Sequence, residues 1–209
     1  MHRLTLVLTL ALIACEHPAA EGPAAPAQPA APSATTSAPA ATANAPGAVI
    51  VRTADGAEAV SVREESNGTI TIAFDKQTLR GTTRDTGKRK YGDPATFEIK
   101  PGDDGFKLRH ADGKLLWKVK FKDGKIKISD NEENLNPFEL KTRGDGLKVV
   151  APGERELGDV RGSDVSDATG KKRFTVDGKS SAAYGVLLLD TIPPPQRYIL
   201  LAELLSRGK

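Results

Sequence analysis

Residues 48–209 of this 209-residue chain predict a mainly β domain: an antiparallel meander, open or closed into a barrel, that ends in an apolar helix or helical hairpin. Three observations predict it. Tight-turn dipeptides recur at short intervals, period-two alternation fills the stretches between them, and an apolar segment follows the last strand and a block of prolines.

The turns come first. Asp-Gly or Asn-Gly stands at Asp55-Gly56, Asn67-Gly68, Asp104-Gly105, Asp112-Gly113, Asp123-Gly124, Asp145-Gly146 and Asp177-Gly178. These residues tolerate the positive φ that tight hairpin turns impose. Between them, residues 69–72 (Thr-Ile-Thr-Ile), 118–122 (Lys-Val-Lys-Phe-Lys) and 125–128 (Lys-Ile-Lys-Ile) alternate polar and apolar, the mark of strands wet on one face. After Gly178, residues 181–189 read as a short helix or a buried strand. Pro193, Pro194 and Pro195 interrupt it and suit the first turn of a new helix. The helix is predicted over residues 196–207, with Gly208 at its end. Its apolar side chains run nearly all round, so it should be buried.

Residues 86–91 (Thr-Gly-Lys-Arg-Lys-Tyr) recur as residues 169–174 (Thr-Gly-Lys-Lys-Arg-Phe), and Gly68 precedes Gly81 much as Gly146 precedes Gly158. Two such matches suit a duplicated β-unit, or chance in a Gly- and Lys-rich chain; a solenoid or propeller would need three or more. A meander closed by a greasy C-terminal helix resembles, over about residues 50–207, the tubby C-terminal and LURP-one-like β-barrels. That resemblance implies a hydrophobic helix threading a closed barrel. It also implies kinship with membrane-lipid binders and scramblase-like proteins, although no lipid-headgroup motif is present to carry over. The plainer alternative is an open sheet with its helices packed on one face.

The leader speaks to address. A basic start at Arg3, an apolar run over residues 4–13 and Ala14 before Cys15 make a secretory signal peptide, residues 1–14. The run is too short to span a bilayer, which takes roughly 20 residues. Leu12-Ile13-Ala14-Cys15 resembles the lipobox of bacterial lipoproteins, which implies acylation of Cys15, the only cysteine of the chain. Glu16, where an aspartate would resemble an inner-membrane retention signal, resembles outer-membrane sorting if the cell is Gram-negative. Residues 15–47 then form an Ala/Pro-rich linker with nothing large to bury, predicted to be a disordered, semi-stiff spacer. The expected address is the cell envelope, with the protein held to a membrane through acyl chains.

Composition removes several chemistries from the domain. With its one cysteine in the leader, it has no disulfide, thiol nucleophile or cysteine metal site. His110 is its single histidine and is expected on a hairpin tip, so a Ser-His-Asp arrangement has no placed partner. Residues 81–88 approach a phosphate loop but space their glycines by five residues, and Arg89 replaces the Ser or Thr that would hold magnesium. Residues 130–134 and 164–170 cluster oxygen ligands without the spacing of a calcium loop. No cofactor is expected. A glycan hydrolase working through a carboxylate pair is the rival reading, but aromatic residues are only 5% of the chain and Trp117 falls on the apolar parity of its strand.

One pattern remains. Residues 48–209 hold 29 of the 30 Lys and Arg and 25 of the 27 Asp and Glu, a mildly basic balance. Across the turns at Asp112-Gly113 and Asp123-Gly124, Phe106, Leu108, Trp117, Val119, Phe121, Ile126 and Ile128 share the inward parity. Lys107, Arg109, Lys118, Lys120, Lys122, Lys125 and Lys127 share the outward one. Such a face is either a solvated surface that discourages edge pairing or an anion-binding face whose charges call for partners outside the chain. The expected function is a non-enzymatic binding or structural domain at the membrane, with anionic lipid or an envelope polyanion, rather than nucleic acid, as the partner.

Overall fold

The computed structural model describes residues 47–84 and 87–209. The expected signal peptide, the lipobox-like residues with Cys15, the expected linker up to residue 46, and residues 85 and 86 lie outside the described residues.

Fourteen antiparallel strands form a closed barrel. They are β1 Ala48–Thr53, β2 Glu58–Glu64, β3 Ile70–Phe74, β4 Gln77–Thr83, β5 Arg89–Tyr91, β6 Phe97–Gly102, β7 Gly105–His110, β8 Leu115–Lys122, β9 Lys125–Ser129, β10 Phe138–Arg143, β11 Gly146–Ala151, β12 Arg155–Arg161, β13 Asp164–Asp167 and β14 Lys172–Asp177. Each strand pairs with its neighbours in sequence, and β1 closes on β14 through Ile50–Asp177 to Thr53–Phe174. Closure leaves no sheet edge to aggregate.

Inward parity is apolar as expected: Val51, Val60, Ile72, Ile99, Leu108, Val119, Ile128, Leu140, Val149 and Val165 are buried. Barrel diameter grows with strand number, and fourteen strands enclose more room than their own side chains fill. The chain supplies the rest. A 3-10 helix, Ala182–Leu188, and α1, Pro194–Ser206, belong to the same core cluster as the inward strand residues. Phe74 of β3 packs on Tyr198, Trp117 of β8 donates from Nε1 to Gln196, and Arg89 of β5 reaches Glu203. The helix thus touches widely separated strands and fills the lumen, where all-round apolarity stabilises it. The open-sheet alternative is excluded. Ser181 caps the 3-10 helix by accepting from the Ala183 amide. Gly208 (φ 68) ends α1, with Gly208 N–H to Leu205 C=O and Lys209 N–H to Leu204 C=O, a Schellman stop. No helix among the described residues is long and apolar enough to cross a membrane.

The repeat has a local explanation. Five hairpins share one bond pattern: Thr53–Ala57, Glu65–Thr69, Arg84–Lys88, His110–Lys114 and Asp167–Lys171, each closed by an amide-to-carbonyl bond and carrying a positive-φ glycine before its last residue. This is the three-residue loop with a glycine bulge. Residues 86–91 and 169–174 resemble each other because they leave the same turn. They are not equivalent in the barrel: Gly81 lies on the strand next to Tyr91, whereas β13 intervenes between Gly158 and Phe174. Three expected turn dipeptides also shift. The β6–β7 and β10–β11 loops are Asp103-Asp104 and Gly144-Asp145, leaving Gly105 and Gly146 inside strands, and Asp177-Gly178 leads out of the barrel instead of into a hairpin.

Candidate functional site

The seven outward cations do share one face, and the face is larger than alternation on three strands implied. Lys100 opposes Lys107, which opposes Lys118. Lys120 opposes Lys127. A third row runs from Lys122 through Lys125 and Lys141 to Lys148. With Arg109, the lattice spans β6 to β11. Lys141 and Lys148 were legible in the alternation of residues 138–142 and 146–149, and Lys100 in residues 97–100.

The chain itself supplies carboxylates to most of these charges. Glu132, in the β9–β10 loop, clasps Lys107 at 2.6 Å and Arg109 at 2.5 Å and lies 3.9 Å from Lys118, which also donates to the Glu132 backbone carbonyl. Glu139 sits among Lys141 (3.0 Å), Lys127 (3.1 Å) and Lys125 (3.7 Å). Asp104 takes Lys120 at 3.1 Å, Glu154 takes Lys141 at 2.9 Å, and Glu156 takes Lys148. The hydrogen bond from Lys107, with that from Arg109, holds the Glu132 carboxyl below its usual range. At Glu139 partial burial pushes the carboxyl up, and the bonds from Lys141 and Lys127 overcome it. Among the described residues, Lys100 and Lys122 have no carboxylate within 4.0 Å. Five carboxylates therefore pair with eight of the ten cations, and the surplus remains positive.

The barrel interior holds a second constellation. Glu203 of α1 is fully buried. Its Oε1 accepts from Arg89 Nη1 at 2.6 Å and from Tyr91 Oη at 2.8 Å, and its Oε2 from Arg207 Nη2 at 3.2 Å. Burial alone would lower the Arg89 pKa; the carboxylate beside it raises it instead. Burial and that same carboxylate push the Tyr91 phenol well above its usual range. Gly81, opposite Tyr91, makes the geometry possible, since a Cβ there would overlap the ring. In the sequence, Glu203 reads only as an interruption of an apolar helix and Gly81 as a turn or repeat glycine. Partners more than 100 residues away carry no local signal.

Other candidates resolve into structural roles. His110 ends β7, half-exposed, with Nδ1 3.3 Å from Asp112. Asp167 caps its own turn, accepting from the Thr169 and Lys171 amides, and Asn131 ties its loop through Leu135. A cleft of about 660 Å³ opens at the barrel mouth where β1 begins, and Glu64 is the one Asp or Glu among the residues lining it.

Fold and surface together define a closed antiparallel barrel plugged by its own C-terminal helix and faced on one side with paired cations. Compared with protein-family models, curated proteins and solved structures, the chain matches none.

Proposed function

We propose that this chain is a lipid-anchored cell-envelope protein whose barrel is a binding domain that engages phosphate-bearing anions through the β6–β11 cation lattice. The observation that carries the reading is the set of directly opposed lysine pairs with a surplus of charge. Like charges opposite one another across strands destabilise a sheet, and a surface built for solubility intersperses its signs. The ion pairs at Glu132, Asp104 and Glu156 have half-exposed carboxylates, and such pairs are worth about 0–1 kcal/mol. A phosphate can therefore displace a carboxylate at little cost. Anchoring at Cys15, with residues 15–47 as spacer, would hold the face near headgroups, where each cation contributes about 1 kcal/mol. The likeness to tubby C-terminal barrels belongs to the same proposal, supported by the helix inside a closed barrel.

The anchor is tested by metabolic fatty-acid labelling: wild type takes up label and Cys15→Ser does not, whereas equal labelling refutes acylation at Cys15. The lattice is tested by flotation of the non-acylated chain with anionic and neutral vesicles. Reversal to Glu would set new carboxylates against Glu132 and Glu139, so neutralising Lys100, Lys122 and Lys148 to Gln is the cleaner change. Binding to anionic vesicles should fall steeply with salt, because screening acts over about 8 Å at physiological ionic strength, and the triple variant should bind roughly a hundredfold more weakly, the equivalent of about 1 kcal/mol for each of the three cations. A soluble polyphosphate that competes points to a polyanion, and one that does not points to the membrane. Binding indifferent to lipid charge, salt and these lysines would overturn the proposal.

A further inference from the structure

The barrel has one mouth with an unfilled apolar cleft. The C-terminal end of α1 and the residue Gly208 beyond it bring small residues, Ala202, Ser206 and Gly208, to the cleft lined by β1–β3. Where those side chains stop short, the cleft of about 660 Å³ remains, walled by Val49, Val62, Ile70, Tyr184, Ala202 and Leu205. Two smaller clefts, about 180 and 400 Å³, meet it around Ala182. Its rim carries Lys179 and Lys209, both exposed, and Glu64. Lys209 Nζ stands over the Phe121 ring at 5.1 Å.

We infer that this cleft takes one fatty acyl chain of an anionic membrane lipid, with the lipid's charged head at Lys179 and Lys209. Two independent features point to this occupant. The first is where the remaining chain leads: Gly47 lines the cleft, and the linker that precedes it runs to Cys15, so the tether joins the barrel at this mouth. The second is charge and shape together. An apolar slot of the size of small-molecule sites, rimmed by two exposed lysines, complements a long apolar tail with an anionic end. The inference rests on the membrane-anchored reading for its supply of lipid, but not on the lattice, which lies on the barrel wall.

The test uses the full Cys15→Ser chain, freed of bound lipid, with saturated fatty acids of increasing length displacing a fluorescent fatty acid. Affinity should rise about fourfold per added methylene, the equivalent of about 0.8 kcal/mol for each buried CH₂, and then level off when the cleft is full. Ala48→Trp and, independently, Ser206→Trp should weaken binding at least tenfold, with unchanged far-ultraviolet circular dichroism and a cooperative urea transition showing that the fold survives. Lys179→Glu should weaken fatty acids and leave the matching alcohols unaffected. Neutralising Lys100, Lys122 and Lys148 should change nothing here, and the cleft variants should leave salt-dependent flotation intact, so the two sites fail separately. A photoactivatable phospholipid should crosslink to the cleft of the acylated protein in vesicles. Affinity without chain-length dependence, or insensitive to both tryptophans in folded protein, would overturn the inference. So would crosslinking that appears only in Cys15→Ser, which would make the protein's own anchor the occupant.

Discussion

Glu203→Ala should cost the barrel about 3–5 kcal/mol, the range for breaking a buried ion pair by removing one partner. The loss exceeds that of a deleted contact because of what stays behind. The Arg89 side chain is only 13% exposed and would keep its charge with no carboxylate beside it, and the Tyr91 hydroxyl would lose its acceptor. Urea unfolding reads the effect directly, since the midpoint shifts by the lost free energy divided by a slope of roughly 1–3 kcal/mol/M. Glu203→Gln keeps an acceptor oxygen and should fall between, losing about 1.5–3 kcal/mol. Replacing Glu203 and Arg89 together by Leu and Met should recover part of the single-variant loss, because Arg89 is then no longer a buried charge without its carboxylate, while Arg207, which also pairs with Glu203, stays unpaired. A Glu203→Ala protein within about 1 kcal/mol of wild type would mean that the cluster is solvated and contributes no more than a surface pair.

Gly158→Ala should be at least as damaging by a different route. Gly158 has φ 149, a region of backbone that residues with a Cβ adopt only under strain of about 1–3 kcal/mol. A Cβ there would also meet the Ser166 carbonyl oxygen and Asp167 Cα, all closer than 3.0 Å. Those atoms belong to the paired strand β13 and cannot swing aside like a side-chain tip. Relief requires β12 and β13 to part where Gly158 pairs with Asp167. The expected loss exceeds about 3 kcal/mol, seen as a melting temperature lower by roughly 6–12 °C at about 2–4 °C per kcal/mol for a domain of this size. Gly113→Ala is the internal comparison: φ is 91 but nothing lies within 4 Å of its Cβ position, so only the positive-φ penalty of about 1–2 kcal/mol applies. Equal losses for the two variants would show that the strand contact at Gly158 relaxes freely.

The cation lattice shows how far local pattern reaches into a site. Alternation alone placed Lys107, Lys118, Lys120, Lys125 and Lys127 on one outer face, because a strand's side chains must alternate whatever the strand pairs with. It did not reveal which cations are compensated. Glu132 lies in a loop whose path depends on the preceding and following strands, and Glu139 meets Lys127 only through the β9–β10 register. Turn chemistry was likewise legible at Asp123-Gly124, where both residues adopt positive φ. At Asp145-Gly146 the turn slid by one residue, because Gly144 offered a second site for positive φ.

By itself the sequence determined the elements: hairpins where Asn, Asp and Gly admit positive φ, strands with one apolar parity, and a C-terminal helix so apolar that it had to be buried. These follow from steric and solvation preferences of residues near one another in the chain. The tertiary structure decided closure and content. Whether β1 meets β14, whether the helix lies on the sheet or inside it, and whether Glu203 finds Arg89 and Tyr91 all depend on residues more than 100 positions apart. Such contacts form only once the whole wall has curved round, for the reward of burying the helix comes after the loop entropy of closing the barrel has been overcome.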